Sequence, residues 1–226
     1  SLYLARRGRF ALSGVTIALA GATRPQAFLL GIPYVLEFWQ QHDFSRKQWL
    51  QFLAGGLIAP IGMLGYLIFI AKLSNSSSLY ETYVNLQYRE WGNYGDWPWV
   101  TLGDGLNAVI FGANIQPDWF SRAFTFSDLA YALMGLALGV WAFRRMRASS
   151  AAYLLIGVIF FYSKHGPYGY AFHSFPRHLG SLPPIYLALA LFLNQLPTRL
   201  RWTVVAVFVV FLGIFAAWFA SGRWVS

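Results

Sequence analysis

Residues 6–38 read RRGRFALSGVTIALAGATRPQAFLLGIPYVLEF. A basic turn (Arg6, Arg7, Arg9) leads into an apolar run over residues 10–22. Thr23-Arg24-Pro25 interrupts it, and a second apolar run covers residues 26–38, with Glu37 near its end. A helix needs roughly 20 residues to cross about 30 Å of hydrocarbon, and each run falls short of that. The stretch is therefore either a hairpin of two short crossings in a thinned or tilted region, or a re-entrant pair. The choice decides whether Arg24 reaches the far face.

Charge placement sets the sidedness. Of the 226 residues, 57% are hydrophobic, 19% aromatic and only 11% charged. A soluble domain carries roughly 25% charged residues, so this composition predicts a polytopic helical membrane protein. Residues 49–71 and 202–220 are long enough to span. Residues 127–143 and 150–163 are shorter, with polar flanks. Residues 179–193 carry Pro183-Pro184, which must break or kink the first turn. Short cytoplasmic loops are enriched in Lys and Arg. With Arg6, Arg7 and Arg9 inside and two crossings in the first region, Arg46 and Lys47 fall inside as well. Arg144, Arg145 and Arg147 follow, then Arg199 and Arg201. These make ten of the 17 basic residues. Six of the eight acids (Glu81, Glu90, Asp96, Asp104, Asp118, Asp128) lie in or beside one outer segment, residues 73–126. The expectation is an all-α, single transmembrane domain over residues 1–226, with seven crossings and one long outer loop.

The net charge is +9, with no cysteine. Loop topology explains the charge, so nucleic acid is not an expected partner. Without cysteine there is no disulfide, thiol nucleophile or iron–sulfur site. No cleavable secretory signal is visible, and Ser1-Leu-Tyr-Leu-Ala runs at once into the basic turn, which reads as a piece beginning partway through a larger protein. The outer segment is too long for a plain connector. Residues 79–91 (LYETYVNLQYREW) suit a helix lying on the membrane surface, with Glu81 and Glu90 on its polar face. Residues 92–105 read as loop, and residues 106–111 as a second short amphipathic helix.

Four groups carry candidate chemistry. Arg177 lies in HSFPRHLGSLPP (residues 173–184), with Lys164, His165, His173 and His178 near it in sequence. Outer loops should lack such residues, so the cluster needs a reason. Arg binds phosphate oxygens bidentately and stays charged. An anionic ligand and snorkelling to lipid headgroups both remain open. Arg24 is the second group, at the outer turn of the first hairpin, with Pro25 suited to a helix first turn. Asp96 and Asp104 are the third; they can ligate a divalent metal or act as a base, against a reading as solvated loop acids. Glu37 reads as a helix-terminus residue. His42, His165, His173 and His178 lack metal-ligand spacing, and no nucleotide or nucleophile-elbow motif occurs. Fourth, Gly55, Gly56, Gly62 and Gly65 suggest close helix packing.

Residues 6–38 resemble the middle of bacterial PIG-V-like mannosyltransferases, where a basic turn, a small-residue helix and Thr-Arg-Pro precede an apolar helix ending near Glu. HSFPRHLGSLPPIYLALA (residues 173–190) resembles their late Pro-Arg-aromatic motif, with His178 where the family has an aromatic. The order and spacing of the two agree. The resemblance implies a membrane glycosyltransferase of the GT-C class. It would move mannose from a polyprenyl-phosphate carrier to a lipid or glycan acceptor, on the outer face of a bacterial plasma membrane. Arg177, Arg24, Lys164, His173 and His178 would then hold the donor phosphate. The family's catalytic acid lies in a first outer loop, and this chain starts after that loop. Other readings are a lipid-linked-sugar flippase, an O-antigen ligase or polymerase, and a non-catalytic scaffold. A flippase would need polar groups mid-span, and the spans here hold few.

Overall fold

A computed structural model of the chain describes residues 1–41, 45–76, 78–85, 94–112, 119–165 and 175–220. Among these the fold is all-helical apart from one two-residue strand pairing. A short α1 (Leu2–Arg6) precedes α2 (Phe10–Thr23). Arg24 then caps a 3₁₀ helix (Pro25–Leu30), which passes directly into α3 (Gly31–Gln41). Pro25 occupies the first position, where its missing N–H costs nothing. The first region is thus a hairpin that returns to its starting end: Arg6 Nε lies 2.9 Å from Glu37 Oε1.

Next comes α4 (Arg46–Leu73), 28 residues with Pro60 inside. It packs along α2. A Cβ at Gly14 would meet the Gly55 carbonyl oxygen at 2.2 Å. One at Gly62 would stand 1.6 Å from that of Ala18, and one at Gly21 3.0 Å from the Met63 nitrogen. Contacts climb both helices together, so the two run parallel with their backbones nearly touching. Only glycine allows this approach. Two of the four expected glycines, Gly55 and Gly62, make the contact; Gly56 and Gly65 face open space. At 100° per residue, positions 55 and 62 nearly coincide, while 56 and 65 fall to either side of that stripe.

The outer segment holds α5 (Leu79–Asn85) and α6 (Pro98–Phe111). The rest of the surface helix expected over residues 79–91, Glu90 included, lies outside the described residues. The loop expected over residues 92–105 is in fact helical from Pro98 onward. Proline at the first position fits a helix start, and the two glycines that suggested a loop are tolerated inside the helix. Gly112, with φ 68°, ends it in the left-handed conformation.

A larger core follows. It joins α7 (Trp119–Ala142), α8 (Ala148–Tyr162), α9 (Phe175–Gly180) and α10 (Pro184–Leu193). The expected proline break separates α9 from α10. It aims Leu179 and Leu182 into the gaps beside Gly135 and Gly157, where an added Cβ would lie 2.9 Å and 2.7 Å from the leucine methyls. The chain continues into α11 (Thr198–Ala220).

Two helical stretches are long and apolar enough to cross a membrane, Arg46–Leu73 and Thr125–Ala142. The outward side of α4 exposes Leu50, Leu57, Ile61 and Phe69. Along α11, Val207, Val209, Val210, Phe211 and Leu212 are exposed. Apolar surface this continuous is not left to water.

Candidate functional site

The last turn of α8 is where the sequence motifs meet. Phe160 receives Phe28 edge-on from the 3₁₀ helix that follows Arg24, with ring centroids 5.3 Å apart. Phe161 stacks on His178, at 4.7 Å and 17° between planes. Tyr162 meets Phe175 edge-on at 5.4 Å. One residue on, the Ser163 carbonyl accepts from the Asp96 amide at 3.0 Å. Beyond it, Lys164–His165 pairs antiparallel with Tyr94–Gly95. The segments carrying Arg24, Lys164, Arg177, His178 and Asp96 therefore converge around one helix end, although they lie far apart in the chain.

The individual residues fare differently. Arg24 is exposed at the hairpin tip. Its neighbour Thr23 bonds back to the Ala20 carbonyl at 2.8 Å. Lys164 and Arg177 are placed by backbone, in the strand pairing and in α9. Their side chains, and all of His173, lie outside the described residues. His178 is half-buried, with its ring against Phe161. Asp96 is exposed, and its Oδ1 accepts from the Trp97 amide at 2.7 Å. That bond makes it the turn former ahead of α6. Asp104 sits half-buried within α6, not in the loop expected for it. Asp128, grouped with the outer acids, is buried in α7 beside Leu129 of the core. Among the described residues no three His, Asp or Glu side chains gather as a metal site would require.

The opposite end holds a cluster that the sequence did not signal. Glu37 is fully buried. Its Oε1 accepts from Arg6 Nε at 2.9 Å and from the Ser149 hydroxyl. Its Oε2 faces Arg147 at 2.8 Å. Arg6 also donates to Ser150 at 2.5 Å, and Arg147 to Gln40 at 2.8 Å. Ser149 and Ser150 lie in the first turn of α8, so the carboxylate sits where the positive end of the helix dipole favours an anion. Glu37 is more than a helix-terminus residue; it joins α1, α3 and α8. The available hint was a lone acid inside an apolar run, a position that calls for a partner.

The fold is that of an all-helical chain with membrane-length helices, closed by ions at one end and by aromatic rings at the other. Set against known protein families, curated proteins and solved structures, the chain matches none of them.

Proposed function

We propose that this protein is a multi-pass membrane glycosyltransferase that takes a sugar, mannose by resemblance, from a polyprenyl-phosphate donor on the non-cytoplasmic face. Seven helical passes fit the element order: α2, the 3₁₀ helix with α3, α4, α7, α8, α9 with α10, and α11. The basic turns assigned to the cytoplasm supply Arg6 and Arg147, and these meet on one carboxylate. That is the co-location the charge alternation requires.

One observation carries the functional reading: the segment after Arg24, the Lys164–His165 strand and helix α9 with Arg177 all adjoin the last turn of α8. A lipid carrier entering between helices at that end would bring its phosphate to a rim where the segments that carry these cations meet. In the transfer, the bond from the sugar's anomeric carbon to the phosphate oxygen breaks, and the phosphate keeps the electron pair. The acceptor hydroxyl bonds to that carbon and gives its proton to a base. Negative charge grows on the phosphate as the sugar departs, so a fixed guanidinium stabilises the transition state more than the ground state.

The test is sugar transfer by the full-length protein in liposomes, with polyprenyl-phosphate mannose as donor. Arg177→Ala should lower turnover by a factor of order 10² to 10³, as expected for one electrostatic donor. Membrane insertion should stay intact. Unchanged turnover removes the phosphate-clamp role. Movement of intact donor across the bilayer without release of mannose from its phosphate replaces the transferase reading with the flippase.

A further inference from the structure

Helix α6 has its polarity reversed relative to a helix at a water-exposed surface. Its inward side is small: Thr101, Gly105 and Ala108 are buried. Its outward line is large and apolar: Trp99 is 64% exposed and Ile110 65%, with Leu106 between them, while the exposed Asn107 and Phe111 lie to one side. At 100° per residue, positions 99, 106 and 110 fall within about 40° of one line. No charged side chain lies on that line; Asp104 sits toward the inward side, half-buried. At the start of the helix, Trp97 and Trp99 stack on each other at 4.8 Å and 13°, and both are exposed.

We propose that this stripe is a lipid-contacting face, and that α6 lies in the outer leaflet where hydrocarbon gives way to headgroups. The proposal rests on the bilayer-spanning reading above. Three features select lipid as the occupant. First, α6 joins the chain between the two helices of membrane length, and it packs on α7 and α8. The Asp96–Ser163 bond holds its leading turn at the end of α8. Second, α7, on which α6 packs, also exposes a large apolar side chain, Phe126. Third, paired indoles at one end of an apolar stripe suit the interface, where the ring is shielded and its N–H reaches water. The consequence is positional. An interfacial α6 fixes the height of the whole outer segment, and with it the level at which Asp96 meets the convergence around α8.

These 226 residues hold no cysteine, so the protein without an introduced cysteine serves as the labelling blank. Leu106→Cys and Ile110→Cys would carry a nitroxide in the full-length protein, reconstituted into phosphatidylcholine–phosphatidylglycerol vesicles. Leu57→Cys on α4 is the reference. Relaxation by oxygen, which concentrates in lipid, is compared with relaxation by a water-soluble nickel chelate. Labels at 106 and 110 should favour oxygen severalfold, at a shallower depth than the label at 57. If nickel wins at 106 and 110 while 57 favours oxygen, α6 faces water and the inference fails alone. If both relaxants are excluded at 106 and 110, a protein surface covers the stripe and the inference also fails. If nickel wins at 57 as well, the bilayer reading falls with it.

Discussion

The two ends of this molecule are held by different physics. At the basic end, one buried carboxylate is gripped by two arginines and a serine hydroxyl, and three helices meet on it. At the other end, the last turn of α8 is ringed by three aromatic contacts from two segments. An ion cluster is a joint that fails when its buried charge is left with no cation at all. Ring contacts each contribute little and adapt when one is lost. The first end therefore reads as the fixed point of the fold. The second is the end that can admit a ligand without the fold coming apart.

The sharpest way to break that contrast is to strip Glu37 of both cations. Arg6→Met together with Arg147→Met strands a carboxylate that is 0% exposed. The expected loss is about 3–5 kcal/mol, the usual cost of an uncompensated buried charge. Thermal unfolding in detergent micelles checks it. Either single variant should lose much less, since the other arginine remains. A double variant that melts like the parent would mean the cluster is not a joint.

Next in size is the parallel α2–α4 contact. Gly62→Leu drives a side chain into the Ala18 carbonyl, and overpacking of this kind costs about 1–3 kcal/mol. The upper end applies here, because backbone rather than a movable side chain is in the way. The same melting assay reads it.

His178→Ala removes one ring from the aromatic end and should lower stability by only about 1 kcal/mol. A loss as large as that of the double arginine variant would erase the distinction between the ends. Smallest, and opposite in sign, is Gly56→Ala. Its Cβ would meet nothing within 4 Å, so better helix propensity should raise stability by up to about 1 kcal/mol. A fall in melting temperature there would show that α4 packs against something on its open side.

Much of the architecture was legible because membrane-like segments write their boundaries in composition. The hairpin break at Thr23-Arg24-Pro25, the break at Pro183-Pro184 and the end of α4 near residue 73 all followed from apolar length and helix-breaking residues. Where turn signals misled, they did so locally. Gly103 and Gly105 suggested a loop, but Pro98 starts a helix that runs through them.

The glycine stripe was half legible. Composition marks four small residues, yet only their angular position tells which of them face α2. The candidate site was legible as motifs but not as a meeting place. Nothing local to residue 28 or residue 160 announces that their rings touch across 132 positions. Glu37 was hidden for the same reason: its burial depends on Arg147 and Ser149, which arrive more than 100 residues later.

That delay matters for how the chain is made. Arg6 and Glu37 are 31 residues apart, whereas Arg6 and Ser150 are separated by 144. Chains emerge N-terminus first. A nascent hairpin therefore carries its acid with a single counter-ion while α4 and α7 are still being made. The keystone is set only when the turn before α8 arrives, so the first hairpin must wait, half neutralised, for the second half of the protein to close over it.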